Sequence, residues 1–141
     1  MSEHKLYITE LVVRVFTGIL FFFQGYDKVF KVHISHVVEA FDDDARRTHI
    51  PHSLLVATSY YTSFVELAGG IFLIVGLYRD YVLILLSIDL LIVSIAFSLM
   101  QAMWDTKYVF PRFALVATLL MMPDYWSLYS ADNLFHLIDK P

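Results

Sequence analysis

Four long apolar runs constrain this chain more than any other feature of its sequence. They span residues 6–23, 54–77, 81–104 and 109–122. A helix crosses the hydrocarbon core of a bilayer with about 20 apolar residues, so the first three runs are long enough and the fourth is short. Too little polar sequence remains to cover four such runs in water. We therefore predict an all-α, polytopic membrane protein, a four-transmembrane-helix bundle that forms a single domain over residues 1–141.

Composition excludes several classes of protein. Hydrophobic residues make up 58% of the chain and the net charge is −4, without a basic patch, so nucleic acid is excluded as a partner. Cysteine is absent from the sequence, which rules out disulfides, thiolate metal sites and dithiol redox chemistry. The first run is not expected to be a cleaved signal peptide. Glu10 and Arg14 interrupt its apolar core, and no small-residue cleavage motif follows.

The loop between the first two runs has a pattern of its own. Its apolar residues recur at helical spacing over Phe30–Phe41, which predicts a short amphipathic helix lying at the membrane surface. Imidazole and carboxylate groups in this loop could hold a divalent metal. We favour a solvated or lipid-surface loop over a metal site. The histidines concerned form two pairs at i,i+3 spacing, namely His33 with His36 and His49 with His52.

Ionised side chains inside the apolar runs are the main candidates for a functional site. Charges at membrane depth usually face a bundle interior, pair with one another or mark a functional position. At about 1.5 Å per residue, Arg14, Glu66 and Asp89 lie about 12–17 Å from one side, so one layer could contain all three. We predict a buried polar cluster of Glu10, Arg14, Glu66 and Asp89. Arg14 is expected to pair with Glu66 or Glu10, and we predict the contact with Glu66.

The role of this cluster is open at the level of sequence. Its members either fix helix register and packing, or they handle protons or bind a ligand. The third run adds a second consideration, because its serines form a polar stripe and Asp89 lies on the opposite face. A helix with polar residues on two faces favours association with a second subunit.

Four crossings would place both termini on one side of the membrane. Lysine and arginine are more numerous near the loops that follow the first and third helices. By the positive-inside rule these loops are expected in the cytoplasm and the termini outside.

Three segments carry a resemblance to a known family. Residues 11–30 contain Arg, Gly, Gly and Lys in that order, and residues 64–79 contain an acid, then Gly-Gly, then Gly-Leu near an Arg. Phe110-Pro111 with Tyr129–Asp132 closes the pattern. Together they resemble the DoxX-like membrane proteins. The matching positions are Arg14, Gly18, Gly25, Lys28, Glu66, Gly69, Gly70, Gly76 and Arg79.

The resemblance implies a four-helix protein of the bacterial cytoplasmic membrane, some of whose relatives are associated with quinone-linked or other redox enzymes. We expect an accessory subunit of a redox-linked or respiratory assembly, non-catalytic by itself, without an intrinsic cofactor. Its partners would be membrane lipids and either other membrane subunits or further copies of the chain. One alternative is a quinone-binding oxidoreductase subunit that uses buried carboxylates for proton transfer. The other is a small proton-coupled transporter, which the lack of internal repeats disfavours.

Overall fold

The computed structural model describes residues 3–100 and 109–138, and within these ranges the regular structure is helical, without strands. Six α-helices form the fold of these described residues. They are α1 (Glu3–Tyr26), α2 (Ile34–Arg47), α3 (His52–Val75), α4 (Arg79–Met100), α5 (Phe110–Met121) and α6 (Ala131–Ile138). A π-helical segment, Asp27–Lys31, continues α1, and a 3-10 turn, Asp124–Trp126, follows α5.

Three helices in the described part of the chain are long and apolar enough to cross a membrane. They are α1 with its π-helical continuation (29 residues), α3 and α4. Helix α5 has 12 residues and reaches about 18 Å, against about 30 Å for a hydrocarbon core. The all-helical membrane architecture is therefore confirmed, while the fourth crossing stays a prediction. Residues 101–104 of the expected third run lie outside the described residues.

Glycines allow α1 and α3 to pack in close antiparallel contact. A Cβ atom on Gly25 would lie 2.6 Å from Leu67 Cα, and one on Gly70 would lie 2.6 Å from Phe22 Cα. Real side chains do not tolerate such distances from backbone, so both positions require glycine. Small residues favour this kind of approach in lipid, where close packing replaces the hydrophobic effect.

The helices enclose an apolar core in the middle of the bundle. Leu73 on α3, Leu86 on α4 and Val116 on α5 are fully buried in it. Phe21 contributes from α1 and is also fully buried. This core lies between two polar regions, because along α1 it separates Arg14 from Lys28.

Helix α2 lies in the predicted loop but with different bounds. The prediction was Phe30–Phe41, whereas the helix begins at Ile34 and ends at Arg47. The difference arises because α1 continues to Lys31 as a π-helix and His33 then breaks the chain direction with φ of 64°. The apolar face of α2 packs on α3 and α4, with the Phe41 ring 5.7 Å from that of Phe97. A position at the membrane surface stays a prediction.

Candidate functional site: two buried polar clusters

The first cluster is built around Arg14, whose side chain is fully buried. Its Nε donates to Glu10 Oε1 at 3.0 Å, an i,i+4 ion pair within α1. Its Nη1 donates to the carbonyls of Leu73 (2.7 Å) and Ile74 (3.2 Å), and its Nη2 donates to the carbonyl of Tyr129 (2.9 Å). The last carbonyls of an α-helix have no partner within that helix. Arg14 therefore satisfies the C-terminal end of α3 and holds it against α1.

Arg79 completes this cluster from the first turn of α4. Its Nη2 donates to the carbonyls of Leu119 (2.6 Å) and Met122 (3.1 Å), which end α5. Its Nε lies 3.3 Å from Glu10 Oε1, so Glu10 is shared by two guanidinium groups. Ser127 also donates to Glu10 Oε1, at 2.9 Å. We call Glu10, Arg14, Arg79 and Ser127 the arginine cluster.

The turn between α3 and α4 is shaped around the arginine cluster. Gly76 ends α3 with φ of 75°, and a Cβ there would lie 2.6 Å from Arg14 Nη1. Asp132 accepts hydrogen bonds from the backbone amides of Tyr78 (3.0 Å) and Arg79 (3.1 Å) at the start of α4. Three of the family-motif positions, Arg14, Gly76 and Arg79, thus belong to one structural unit.

The second cluster centres on Glu66, near the middle of α3. Lys28 Nζ donates to Glu66 Oε2 at 2.6 Å, and Arg112 Nη1 lies 3.5 Å from Glu66 Oε1. Arg112 Nη1 also donates to Gln24 Oε1. Asp89 on α4 interacts electrostatically with Glu66, Lys28 and Arg112. We call Gln24, Lys28, Glu66, Asp89 and Arg112 the lysine cluster.

Asp89 differs from the other members of the lysine cluster. It is fully buried, yet neither of its carboxylate oxygens has a hydrogen-bond partner among the described residues. Burial of a polar group without such a partner is costly, most of all when the group is charged. The packing around Asp89 therefore gives no structural reason for a carboxyl group at this position.

The predicted contact between Arg14 and Glu66 is wrong. Arg14 pairs with Glu10, the other partner considered, and meets α3 at Leu73. Leu73 and Glu66 are seven residues apart on α3, which is about 10 Å at 1.5 Å per residue. All four predicted residues are buried, but the structure divides them between the arginine cluster (Glu10, Arg14) and the lysine cluster (Glu66, Asp89).

Sequence reasoning missed Lys28 as the ion-pair partner of Glu66. The polar stretch after Phe23 predicts that the first helix ends there, whereas the helical path continues to Lys31. A usable signal was present, because Lys28 extends a stripe at spacings of three and four residues. That stripe runs through Arg14, Gly18, Phe21, Gly25 and Lys28. The partnerships of Arg79 with Glu10 and of Gln24 with Arg112 carry no comparable sequence signal.

A cavity of about 280 Å³ opens beside the lysine cluster, between α2, α3 and α4. Lys28 and Gln24 line its polar end, with hydroxyls from α3. Phe41, Phe97 and other apolar side chains line the rest. A second cavity of about 310 Å³ lies next to Arg79 and is bordered mainly by polar and charged side chains.

The histidines of the first loop do not converge. Within the described ranges, no group of three or more His, Asp or Glu side chains is arranged to hold a metal ion. The rings of His33 and His36 are 6.3 Å apart, while His52 Nδ1 lies 3.0 Å from Asp42 Oδ1. That hydrogen bond, aided by the charge of Arg46, lowers the pKa of Asp42 from its ordinary value. It ties α2 to the start of α3.

Apolar helices of this length, joined through buried ion pairs such as Arg79–Glu10 and Arg112–Glu66, define an integral membrane protein. The DoxX family model matches residues 9–99, and the chain belongs to the DoxX family. The match includes α1 to α4 up to residue 99 and therefore Glu10, Arg14, Lys28, Glu66 and Asp89. It confirms the family indicated by the sequence motifs. Comparisons with the curated proteins and with the solved structures found no match.

Proposed function

We propose that this protein is an integral accessory subunit of a redox-linked assembly in the bacterial cytoplasmic membrane, and that it does not catalyse a reaction by itself. The redox association rests on the family resemblance. The accessory role rests on how the structure uses its charged residues. In the arginine cluster the two guanidinium groups are bound to helix-end carbonyls and to Glu10.

The main support for the proposal is that Arg14 and Arg79 hold helices together. Arg14 and Arg79 connect the ends of α3 and α5 to α1 and α4, and the donors involved are directed into the protein. A group that must bind substrate needs unused donors or acceptors in a reachable site. The donors of Arg14 are committed to Glu10 and to backbone carbonyls, so Arg14 supports a rigid membrane scaffold better than it supports a reaction centre.

The short helix α5 supports association with a partner. It reaches about 18 Å and leaves large apolar side chains exposed, among them Phe110 (70%), Phe113 and Met121 (86%). A helix shorter than the hydrocarbon core is accommodated by thinning the bilayer or by contact with neighbours. A second membrane protein or a second copy of this chain would cover this surface.

The experiment is purification of a tagged protein from its native membrane in mild detergent, after cross-linking in the intact membrane. We expect a species larger than the monomer and co-eluting redox proteins, identified by mass spectrometry. Phe113→Ser should weaken the association. Phe16→Ser is the matched control, because Phe16 is a similarly exposed phenylalanine on α1.

Two outcomes would contradict the proposal. One is a stable monomer that cross-links to no protein in its native membrane. The other is reduction or oxidation of an added quinone by the isolated chain, which would favour the oxidoreductase alternative.

A further inference from the structure

The cavity between α2, α3 and α4 has one polar end and one apolar end. Lys28 and Gln24 lie at the polar end together with Ser59 and Thr62, one turn from Ser63 and Glu66 on the same face of α3. The apolar end is formed by aliphatic and aromatic side chains of α2, α3 and α4. They are Val37, Phe41, Leu55, Ile92, Val93 and Phe97.

Among the described residues that line this cavity, Lys28 is the one with a charged side chain. An ammonium group has three N–H donors and no acceptor. Lys28 gives one of them to Glu66 at 2.6 Å, and its side chain is 21% exposed and is among those that line the cavity. The polar end of the cavity therefore offers hydrogen-bond donors to an oxygen atom of a ligand.

The charge around Lys28 decides which oxygen atom fits. Glu66 already neutralises Lys28, and the lysine cluster contains two cations and two carboxylic acids. An anionic head group would compete with Glu66 for Lys28. A carbonyl or ester oxygen accepts a hydrogen bond from Lys28 without adding charge. A head group that is polar but uncharged is the better match.

We propose that this cavity binds a neutral, lipid-soluble molecule whose head group presents oxygen acceptors to Lys28 and whose apolar part lies against Phe41 and Phe97. A quinone and an acylglycerol both have this chemistry. The site is separate from the accessory role proposed above, so either proposal can fail without the other.

Photolabelling tests the site directly. Four probes share a decyl chain with a terminal diazirine and differ in the head, which is a benzoquinone, a glycerol ester, a carboxylate or plain benzene. The purified protein is labelled in detergent, and the labelled peptides are identified by mass spectrometry. We expect saturable labelling of the α4 segment 92–97 by the benzoquinone or the glycerol ester. Whichever of these two saturates at lower concentration identifies the source of the ligand.

Two variants with matched controls separate the polar end from the apolar end. Lys28→Met should weaken binding by about tenfold or more, because a hydrogen bond from a charged donor is lost. Lys31→Met is its control, since Lys31 belongs to the same π-helical segment but its side chain is 63% exposed and pairs with Asp27. Ala96→Phe should abolish saturable labelling by filling the cavity, whereas Ala57→Phe, on the exposed face of α3, should not.

Each result decides the proposal. Equal labelling by the benzene probe would overturn it by showing that the head group is not recognised. Tighter binding of the carboxylate would overturn the requirement for a neutral head. Unchanged labelling of the Ala96→Phe protein, with its helix content and thermal unfolding as in the parent, would show that the ligand binds elsewhere.

Discussion

Arg14 shows how a buried charge can be stabilised without any functional ligand. It has an acidic partner in Glu10 and three carbonyl partners on neighbouring elements. We predict that Arg14→Met and Glu10→Gln are coupled by about 1 kcal/mol in the free energy of unfolding, because the two side chains are in contact. Arg14 meets α3 at Leu73, seven residues from Glu66. The effects of Arg14→Met and Glu66→Gln on the free energy of unfolding should therefore be additive within about 0.5 kcal/mol.

The measurement is a pair of double-mutant cycles on the purified protein in the same detergent. Equal coupling in both cycles would contradict the separation of the two clusters. A coupled Arg14–Glu66 pair with an uncoupled Arg14–Glu10 pair would restore the contact that the sequence suggested.

Asp89 gives a second prediction at this scale, because its carboxylate lacks hydrogen-bond partners among the described residues. Asp89→Leu should raise the free energy of unfolding by about 1 kcal/mol or more, since it removes an unsatisfied buried polar group. Glu66→Leu should lower it, by about 3 kcal/mol on the scale of soluble proteins, because Lys28 and Arg112 lose their shared carboxylate. The same chemical change is therefore expected to have opposite signs at two positions in one cluster.

Thermal or denaturant unfolding of both variants checks this prediction. If Asp89→Leu proved as destabilising as Glu66→Leu, Asp89 would have a structural partner in the working protein. Loss of ligand labelling in a stabilised Asp89→Leu protein would instead assign Asp89 to binding.

At the scale of elements, the glycines of α1 and α3 determine how closely these helices approach. Gly70→Ala should be strongly destabilising, because the added Cβ would meet the backbone of Phe22. Gly69→Ala is the matched control, since its Cβ would lie 2.9 Å from the end of the Leu86 side chain, which can move. We expect Gly70→Ala to lower the unfolding temperature well below that of Gly69→Ala. Equal effects would argue against close contact between α1 and α3.

Helix α2 is joined to the start of α3 by the hydrogen bond between Asp42 and His52. This bond and the Arg46 charge lower the pKa of Asp42 in the folded state. Its contribution is therefore fully present above the unfolded-state pKa of Asp42 and is lost as the pH falls through the folded-state pKa. We predict that hydrogen exchange in α2, corrected for intrinsic rates, accelerates in that acidic range. Asp42→Asn should remove this step, whereas Asp43→Asn, at an exposed position one residue along, should leave it in place.

The sequence predicted elements better than it predicted their ends and partners. Helical runs were recognisable because their apolar residues are continuous over lengths that match α3 and α4. The end of α1 was misplaced because Asp27 and Lys28 look like a polar exit, although the π-helical segment places Lys28 against Glu66. Counting residues from one membrane surface places Arg14 and Glu66 at the same depth only if their helices begin at the same height. The glycine contacts, with Gly25 against Leu67 and Gly70 against Phe22, set how α1 is aligned with α3.

An apolar core separates two polar clusters in this molecule. The arginine cluster lies where α3 ends and α4 begins, and the lysine cluster lies at the level of Glu66 and Asp89, near the middle of α3 and α4. Helix α5 connects the two, since Arg112 in its first turn reaches Glu66 and the carbonyl of Leu119 near its end accepts from Arg79. The chain therefore returns along α5 to the end at which α4 begins. This direction holds whether or not a 12-residue helix crosses the whole bilayer.

That return path leads to a topology prediction, namely that both termini lie on one side of the membrane and the loop containing α2 on the other. The sequence contains no cysteine, so single cysteines can be introduced at Ser2, Asp43, Asp80 and Lys140 without interference. In sealed vesicles of one orientation, a membrane-impermeant maleimide should label S2C, D80C and K140C from the same face and D43C from the opposite face. By the positive-inside rule the face of Asp43 is expected to be cytoplasmic. Labelling of S2C and K140C from opposite faces would show that α5 does not complete a fourth crossing, and the arginine cluster would then need a partner to shield it from lipid.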